Sequence, residues 1–212
     1  MSDERPAPGG RSRIGVLISG RGSNLGALID AIAQGRLAAT IAIVISNRQD
    51  AAGLQRAREA GIETVVLDHR QFSSRHDFDA AVARELHARD VQLVCLAGFM
   101  RLVGPALLDA FPNAILNIHP SLLPAFPGVD AQRQALEHGA KVSGATVHLV
   151  TGELDGGPIV LQAAVAVKEN DTADTLSARI LEQEHRLYPA AVSLLLAGNW
   201  RIEGRRFIAP SP

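Results

Sequence analysis

The sequence predicts an α/β protein built on a mostly parallel, twisted sheet with helices on both faces. Two observations carry that expectation. From Arg13 onward, short β-branched runs alternate with amphipathic helical stretches, the rhythm of strands joined by crossover helices. The run Val91-Gln92-Leu93-Val94-Cys95-Leu96-Ala97 is almost continuously apolar, as a strand covered on both faces must be.

Ile14 to Ile18 is the first strand, and a glycine-rich turn leads from it into a helix over Ser23 to Gln34. Ile41 to Ser46 is the second strand. Asp50 is placed to N-cap a helix running through Ala60, where Gly61 stops it. Thr64 to Leu67 is a third strand, and Ser74 caps a helix from Arg75 to Arg89 whose apolar face holds Phe78, Val82 and Leu86. Val91 to Ala97 is the fourth strand. Ala114 to His119 is the fifth, ended by Pro120, which cannot donate to a ladder.

Beyond His119 the texture changes. Ser121 to Gly128 is a proline-punctuated loop in which the bonds before Pro124 and Pro127 are each open to the cis form. A helix near Asp130 to His138 and a strand from Ala145 to Val150 follow. Thr151 to Pro158 is a turn-rich loop, and Ile159 to Val167 is again a strand. Asp171 or Thr172 opens a long helix reaching Leu196, with an interruption expected near Pro189.

The 212 residues are 47% hydrophobic, enough for one substantial core and at most two closely joined halves. Residues 1–12, polar and rich in proline, glycine and charge, read as a disordered lead rather than a signal peptide. Residues 13–212 read as a single domain with halves at 13–111 and 112–212. A formal charge of −1 gives no electrostatic footprint for nucleic acid. No apolar stretch is long enough to span a bilayer. Cys95 is the only cysteine, so an intrachain disulfide is excluded; it reads as a small core hydrophobe. A cytoplasmic protein is expected, monomeric or homodimeric, acting on small molecules without nucleic acid or membrane.

Three segments hold candidate chemistry. Asn117 and His119 lie two apart in an otherwise apolar strand, so they project from the same face at its carboxyl end, where open α/β sheets bind ligands. One offers an amide, the other an imidazole that titrates near neutrality. Two readings stand for this pair: a reaction centre, or core polar residues satisfied by backbone. Ser19-Gly20-Arg21-Gly22-Ser23-Asn24-Leu25 sits between the first strand and its helix, where free N–H groups favour an anion. Leu25 stands where the dinucleotide fingerprint needs its third glycine, and no Gly-Lys-Ser/Thr follows, so a single phosphate fits better than NAD or ATP. The competing reading is a tight turn with Ser23 or Asn24 capping the helix. Asp155 lies in a loop with Gly152, Gly156 and Gly157; if that loop folds back on the Asn117 strand, Asp155 becomes the partner of His119. Asp-Gly is equally a turn signal.

Leu96 to Val103 leaves the fourth strand; Gly98 there lets a flat ligand approach the backbone, or the segment is simply a strand-to-helix corner. His148 alternates with Val147 and Leu149 and is a further candidate for the same cleft, while His185 beside Glu184 is ambiguous. No HExxH or Cys/His spacing is present, so no metal site is expected.

Taken together, Gly22-Ser23-Asn24-Leu25, Ala97-Gly98-Phe99-Met100-Arg101, Leu116-Asn117-Ile118-His119-Pro120-Ser121-Leu122-Leu123-Pro124 and Glu153-Leu154-Asp155-Gly156-Gly157-Pro158 resemble the phosphoribosylglycinamide formyltransferases. These are folate-dependent enzymes of purine biosynthesis, and the likeness, to their short monofunctional form, runs from Arg13 to Phe207. It implies the Rossmann-like formyltransferase fold, with a phosphate- and nucleotide-binding first half and a catalytic, folate-binding second half. By the same resemblance Asn117, His119 and Asp155 match the catalytic trio. Gly22, Ser23 and Asn24 match the phosphate loop. Leu181, Glu182, Gln183 and Glu184 match the helix segment that contacts the ribonucleotide, with Glu184 suited to ribose hydroxyls. Arg75, Met100, Arg101, Leu102, Val103, Thr151, Gly152, Glu153, Leu154 and Asp155, with Asn117, match positions around the folate. The implied co-substrate is 10-formyltetrahydrofolate, with no metal. Val129-Asp130-Ala131-Gln132 departs from the family by lacking the histidines some members carry there.

The nearest rival enzymes, methionyl-tRNA formyltransferases and formyltetrahydrofolate hydrolases, usually carry an extra RNA-binding or regulatory domain. This chain has neither the length and basic charge for the one nor more than a short lead for the other. A non-catalytic binding module on the same scaffold is the alternative of a different class. The polar trio discriminates, because a pure binder has no use for an imidazole opposed by a carboxylate.

Overall fold

The computed structural model describes residues 11–209; of the expected lead, residues 1–10 lie outside the described residues. Ser12, assigned above to that lead, instead opens β1 (Ser12–Ile18), pairing with Ala39 of β2 (Ala39–Ser46). α1 (Ser23–Ala33) joins them, and α2 (Ala52–Glu59) leads to β3 (Thr64–Val66). α3 (Arg75–His87) precedes β4 (Leu93–Leu96), and α4 (Pro105–Ala110) precedes β5 (Ile115–His119). These five strands pair in parallel in the order β3-β2-β1-β4-β5.

The direction then reverses. β6 (Val142–Leu149), entered through α5 (Ala131–Glu137), pairs antiparallel with β5, and β7 (Ile159–Ala166) antiparallel with β6. α6 (Ala173–Ala197) and a hairpin of β8 (Arg201–Glu203) and β9 (Arg206–Ile208) complete a nine-stranded mixed sheet.

Alternating side chains feed two cores. Val16, Ile18, Leu116 and Ile118 pack with α1, α2 and α6, while Leu17, Ile43, Ile45 and Ile115 pack with α3 and α4 on the other face. Helices therefore cover both faces, as the near-continuous apolar strands require. Tyr188 of α6 is fully buried and its hydroxyl is shared between the carbonyls of Leu96 (2.9 Å) and Leu116 (3.2 Å), tying β4 to β5 from behind.

Ser74 caps α3 by accepting from the Asp77 N–H, and Thr172 forms a capping box with Thr175 at the start of α6. Asp50 does not cap α2: its carboxylate is held by the Arg48 guanidinium at 2.7 and 3.0 Å, and the N-cap is Ala51. Pro189 does not interrupt α6. It is buried beside the core residues Tyr188, Ala191 and Val192, and that packing outweighs the lost backbone bond, a penalty of about 3 kcal/mol. β6 starts three residues earlier than expected and includes Gly144, which passes close to β7: a Cβ there would lie 2.1 Å from the Ala163 carbonyl oxygen. Of the two restricted bonds, Leu123–Pro124 is cis.

Candidate active site

β1 leads to β2 on one side, while β4 and β5 lie on the other, so the sheet changes winding direction between β1 and β4. A crevice forms at such a point, outside the strands' carboxyl ends. Two loops flank it, residues 19–22 after β1 and residues 97–104 after β4. Gly22 is the N-cap of α1 with φ +68°, and no side chain caps the helix; Ser23 and Asn24 lie within its first turn. Side-chain capping, the bland alternative for this turn, is thus not what the glycines serve. A Cβ on Gly22 would sit 2.7 Å from the Gly53 Cα, and the Gly53 N–H donates to the Gly20 carbonyl at 3.0 Å. The start of α2 buttresses the loop at that contact.

Asn24 points inward. Its Nδ2 donates to Glu184 Oε2 at 2.8 Å, linking α1 to α6 across 160 residues of sequence. Asn24 Oδ1 is buried with no protein donor. Glu184 is buried, and burial pushes its carboxyl above the usual range, with the Asn24 amide opposing that shift. Leu181 and Gln183 are half-buried and Glu182 is exposed, so of that segment Glu184 alone is drawn into the contact with Asn24.

On β5, Asn117 faces His148 of β6 and His119 faces Thr146. β6 runs back toward the amino end of β5, where the Val150 N–H donates to the Ile115 carbonyl. The segment 150–158 must therefore arch over the sheet face for Asp155 to reach His119, and it does so. His119 Nδ1 lies 3.5 Å from Asp155 Oδ2, with both side chains more than nine-tenths buried. Asp155 adopts φ +49°, a left-handed conformation that aspartate tolerates better than most residues. Its Oδ2 also accepts from the Gly128 N–H at 2.8 Å, tying the arch to the proline loop. The other oxygen lies 3.6 Å from His148 Nε2. Burial alone would raise the Asp155 pKa; the contacts from His148 and the Gly128 N–H, with the neighbouring imidazoles, outweigh it and hold the carboxyl below its ordinary value.

His119 Nε2 lies 2.8 Å from the Phe126 carbonyl oxygen, so that nitrogen carries a proton when the contact is made. His148 Nδ1 lies 3.0 Å from the Leu149 carbonyl and carries its proton likewise; in the neutral ring Nε2 then accepts from Asn117 Nδ2 at 3.1 Å, and in the charged ring it presents a proton toward Asp155 Oδ1. With the ring neutral, one amide hydrogen of Asn117 is fixed and the other remains free.

Around this centre, Met100 is 72% and Leu102 50% exposed, and Leu154 of the arch is 55% exposed. The first two form an apolar rim on the loop after β4. Arg75, Thr151, Gly152 and Glu153 are exposed, while Arg101 and Val103 are half-buried. Arg101 lies over the Phe78 ring, 5.1 Å from its centroid. In the sequence His148 is only a bare candidate, Ser19 stands out only as part of the phosphate-loop segment, and neither Asp79 nor Arg205 is singled out for a role here. Ser19 accepts from the Met100 N–H, Asp79 from the Gly104 N–H, and Arg205 clamps the arch through Glu153 and the Gly156 carbonyl. The one available signal was a polar side chain, Asp79, on the apolar stripe of α3. Among the described residues no group of three or more His, Cys, Asp or Glu is placed to hold a metal, and no helix is long and apolar enough to cross a membrane.

Comparison with known proteins gives the family of the chain. Residues 12–192 match the family described as formyl transferase. The phosphoribosylglycinamide formyltransferase of Escherichia coli is 47% identical over 190 residues, covering 90% of this chain and 87% of the relative. The human trifunctional purine biosynthetic protein adenosine-3 is 47% identical over 189 residues, but the chain spans only 19% of its length. The crystal structure of glycinamide ribonucleotide transformylase 1 from Symbiobacterium toebii superposes with a TM-score of 0.94 at 56% identity, over 99% of this chain and 100% of that one. The chain belongs to the formyl transferase family, in its phosphoribosylglycinamide formyltransferase branch.

Proposed function

We propose that this enzyme transfers the formyl group of 10-formyltetrahydrofolate to the amine of glycinamide ribonucleotide, in the de novo route to IMP, with Asn117, His119 and Asp155 as its reacting centre. The observation that carries the reading is the convergence of an amide and an imidazole on β5 with a buried carboxylate from the distant 150–158 arch. The substrate amine is itself the nucleophile, so no serine or thiol is required. Cys95 fits that view, since burial pushes its thiol up to about 12 and keeps it unreactive.

The amine nitrogen attacks the formyl carbon, the carbonyl π pair moves to oxygen, and a tetrahedral oxyanion forms. The free Asn117 N–H and the His119 Nε2–H are the donors to it. The Phe126 carbonyl oxygen, now against Nε2, marks where an acceptor sits. Losing one such donor costs about 3–4 kcal/mol of barrier. Collapse breaks the bond to the folate N10, which leaves with the electron pair and takes up a proton, while the attacking amine gives one up. His119 is the shuttle, directly or through water. Asp155, ionised throughout, orients the ring. Gly22, Ser23 and Asn24 would hold the phosphate, and Glu184 the ribose hydroxyls. Arg75, the 100–103 loop and residues 151–154 would line the folate subsite. Two small-molecule substrates and a free thiol fit a cytoplasmic enzyme.

The direct test is purified protein with both substrates, following tetrahydrofolate release by absorbance. Turnover that requires both supports the reading. Hydrolysis of the formyl donor independent of the ribonucleotide overturns it.

Glu184→Gln separates stability from function. A raised carboxyl pKa means the favourable protonated form is fully present below the ordinary range, and its stability is lost as pH rises through the raised value. The neutral amide removes that cost, so the variant's melting temperature should rise by about 2–4 °C at neutral pH and by nothing at acid pH. Its ribonucleotide KM should rise roughly tenfold, because a hydroxyl bonds a carboxylate more strongly than an amide. Thermal melts across pH, with steady-state kinetics, check both halves.

A further inference from the structure

The loop after β4 offers an exposed apolar rim yet is held from beneath at two backbone N–H groups. At one end, the Met100 N–H donates to Ser19 Oγ at 2.8 Å, and the Ser19 hydroxyl donates to Asn47 Oδ1 at 2.6 Å. The Ser19 N–H donates to the Gly98 carbonyl at 3.1 Å. Ser19 and Asn47 are each only 5% exposed, so solvent does not replace these bonds. At the other end, the Gly104 N–H donates to Asp79 Oδ2 at 2.7 Å, and Asp79 is 1% exposed. Asp79 follows Phe78 on α3, the residue whose ring lies beneath the Arg101 guanidinium. Arg101 Nε is buried without a protein acceptor, so this contact and the pinned backbone set the side chain's place. Gly104 has ordinary backbone dihedrals, and its lack of a side chain serves proximity. A Cβ there would lie 2.7 Å from Asp79 Oδ2 and 3.3 Å from Arg75 Cδ.

We infer that Ser19 and Asp79 are positioning residues for the formyl donor: they fix the 98–104 loop from behind, at Met100 and Gly104, in the conformation that receives the folate. The inference rests on the assignment of this loop to the folate subsite. A buried carboxylate under a loop N–H is a costly arrangement unless the bond it makes is needed, and a binding loop rigidified beforehand loses less entropy when its ligand arrives. Ser19 directly follows β1 and opens the phosphate loop, yet its hydroxyl serves the other substrate's loop.

The test measures KM for each substrate and kcat in Ser19→Ala, Asp79→Ala, Asp79→Asn and Gly104→Ala, with thermal melts, and Arg101→Ala as reference. Losing a buried bond to a loop N–H should raise the donor KM about tenfold in Asp79→Ala, and at least threefold in Ser19→Ala. Gly104→Ala, which displaces the Asp79 carboxylate without removing it, should resemble Asp79→Ala. Ribonucleotide KM should stay within about twofold throughout. Asp79→Asn, which keeps an acceptor oxygen, should restore the donor KM to within about threefold of the parent. If Ser19→Ala and Gly104→Ala lower the melting temperature but leave donor KM unchanged, or raise both KM values together, the residues are merely structural and the inference fails. An Arg101→Ala variant with unaltered donor KM would overturn the folate assignment itself and the inference with it. A raised donor KM in Arg101→Ala alone would overturn only the inference.

Discussion

Replacing His119 by alanine is expected to cut turnover by about a thousandfold or more while ribonucleotide affinity stays within roughly threefold of the parent. The magnitude follows from losing two contributions at once, a donor to the oxyanion and the group that moves the proton. The selectivity follows from topology. His119 lies on β5, whereas the loop proposed to hold the phosphate hangs from β1, with β4 between them. Steady-state kinetics with calorimetric titration of the ribonucleotide separates the two quantities. A parallel loss of binding and turnover would mark the imidazole as a packing residue. Asp155→Asn is the milder companion, because the amide oxygen can still accept from the Gly128 N–H while the charge facing His119 is gone. The native Asp155 carboxyl titrates below the ordinary value of about 3.9, so stability contributed by its ionised form is present above that value and is lost only at lower pH. A fall in parent activity at milder acidity would therefore belong to another group.

Gly157→Ala is expected to damage catalysis without touching any reacting group. A Cβ at this position would lie 1.8 Å from the Leu149 carbonyl oxygen, a backbone atom that cannot swing aside. The arch would have to lift, breaking the Leu149 N–H bond to the Pro158 carbonyl (2.9 Å) and carrying Asp155 away from the imidazoles. Displacing a catalytic group by about 1 Å costs on the order of a hundredfold, and the overpacking itself should remove roughly 1–3 kcal/mol of stability. The signature is a low kcat together with a melting temperature lowered by several degrees. A variant that melts early but turns over at the parent rate would show that the arch's seat on β6 is not what places the carboxylate.

Legibility in the sequence followed the range of the forces involved. The strands from β1 to β5 were readable because each is an apolar run bounded by turn chemistry, and the caps at Ser74 and Thr172 because capping is local. Asp50 misled for an equally local reason, since Arg48 two residues earlier captured its carboxylate. α4 and the β8–β9 hairpin were missed: six- and three-residue elements carry no measurable period, and packing alone holds them. Within the site, alternation placed Asn117 and His119 on one face. Local pattern leaves Asp155 open between a turn residue and the partner of His119, and only the resemblance favours the second; that Ser19 and Asp79 bond to loop backbone is not legible, because side chain to backbone bonds leave no periodic trace. The loop's assignment to folate came from resemblance, and the residues beneath it only from the fold.

β5 has a parallel neighbour on one flank and an antiparallel neighbour on the other. The strand is a seam between two building styles, and the polar pair rides on it. The proposed phosphate loop belongs to the parallel crossover units, while Asp155 is delivered by the connection between the antiparallel strands β6 and β7. Insertions on the hairpin side can thus retune the surroundings of Asp155 and leave the proposed phosphate loop as it was, a division of labour that permits the two halves of the proposed reaction to drift separately.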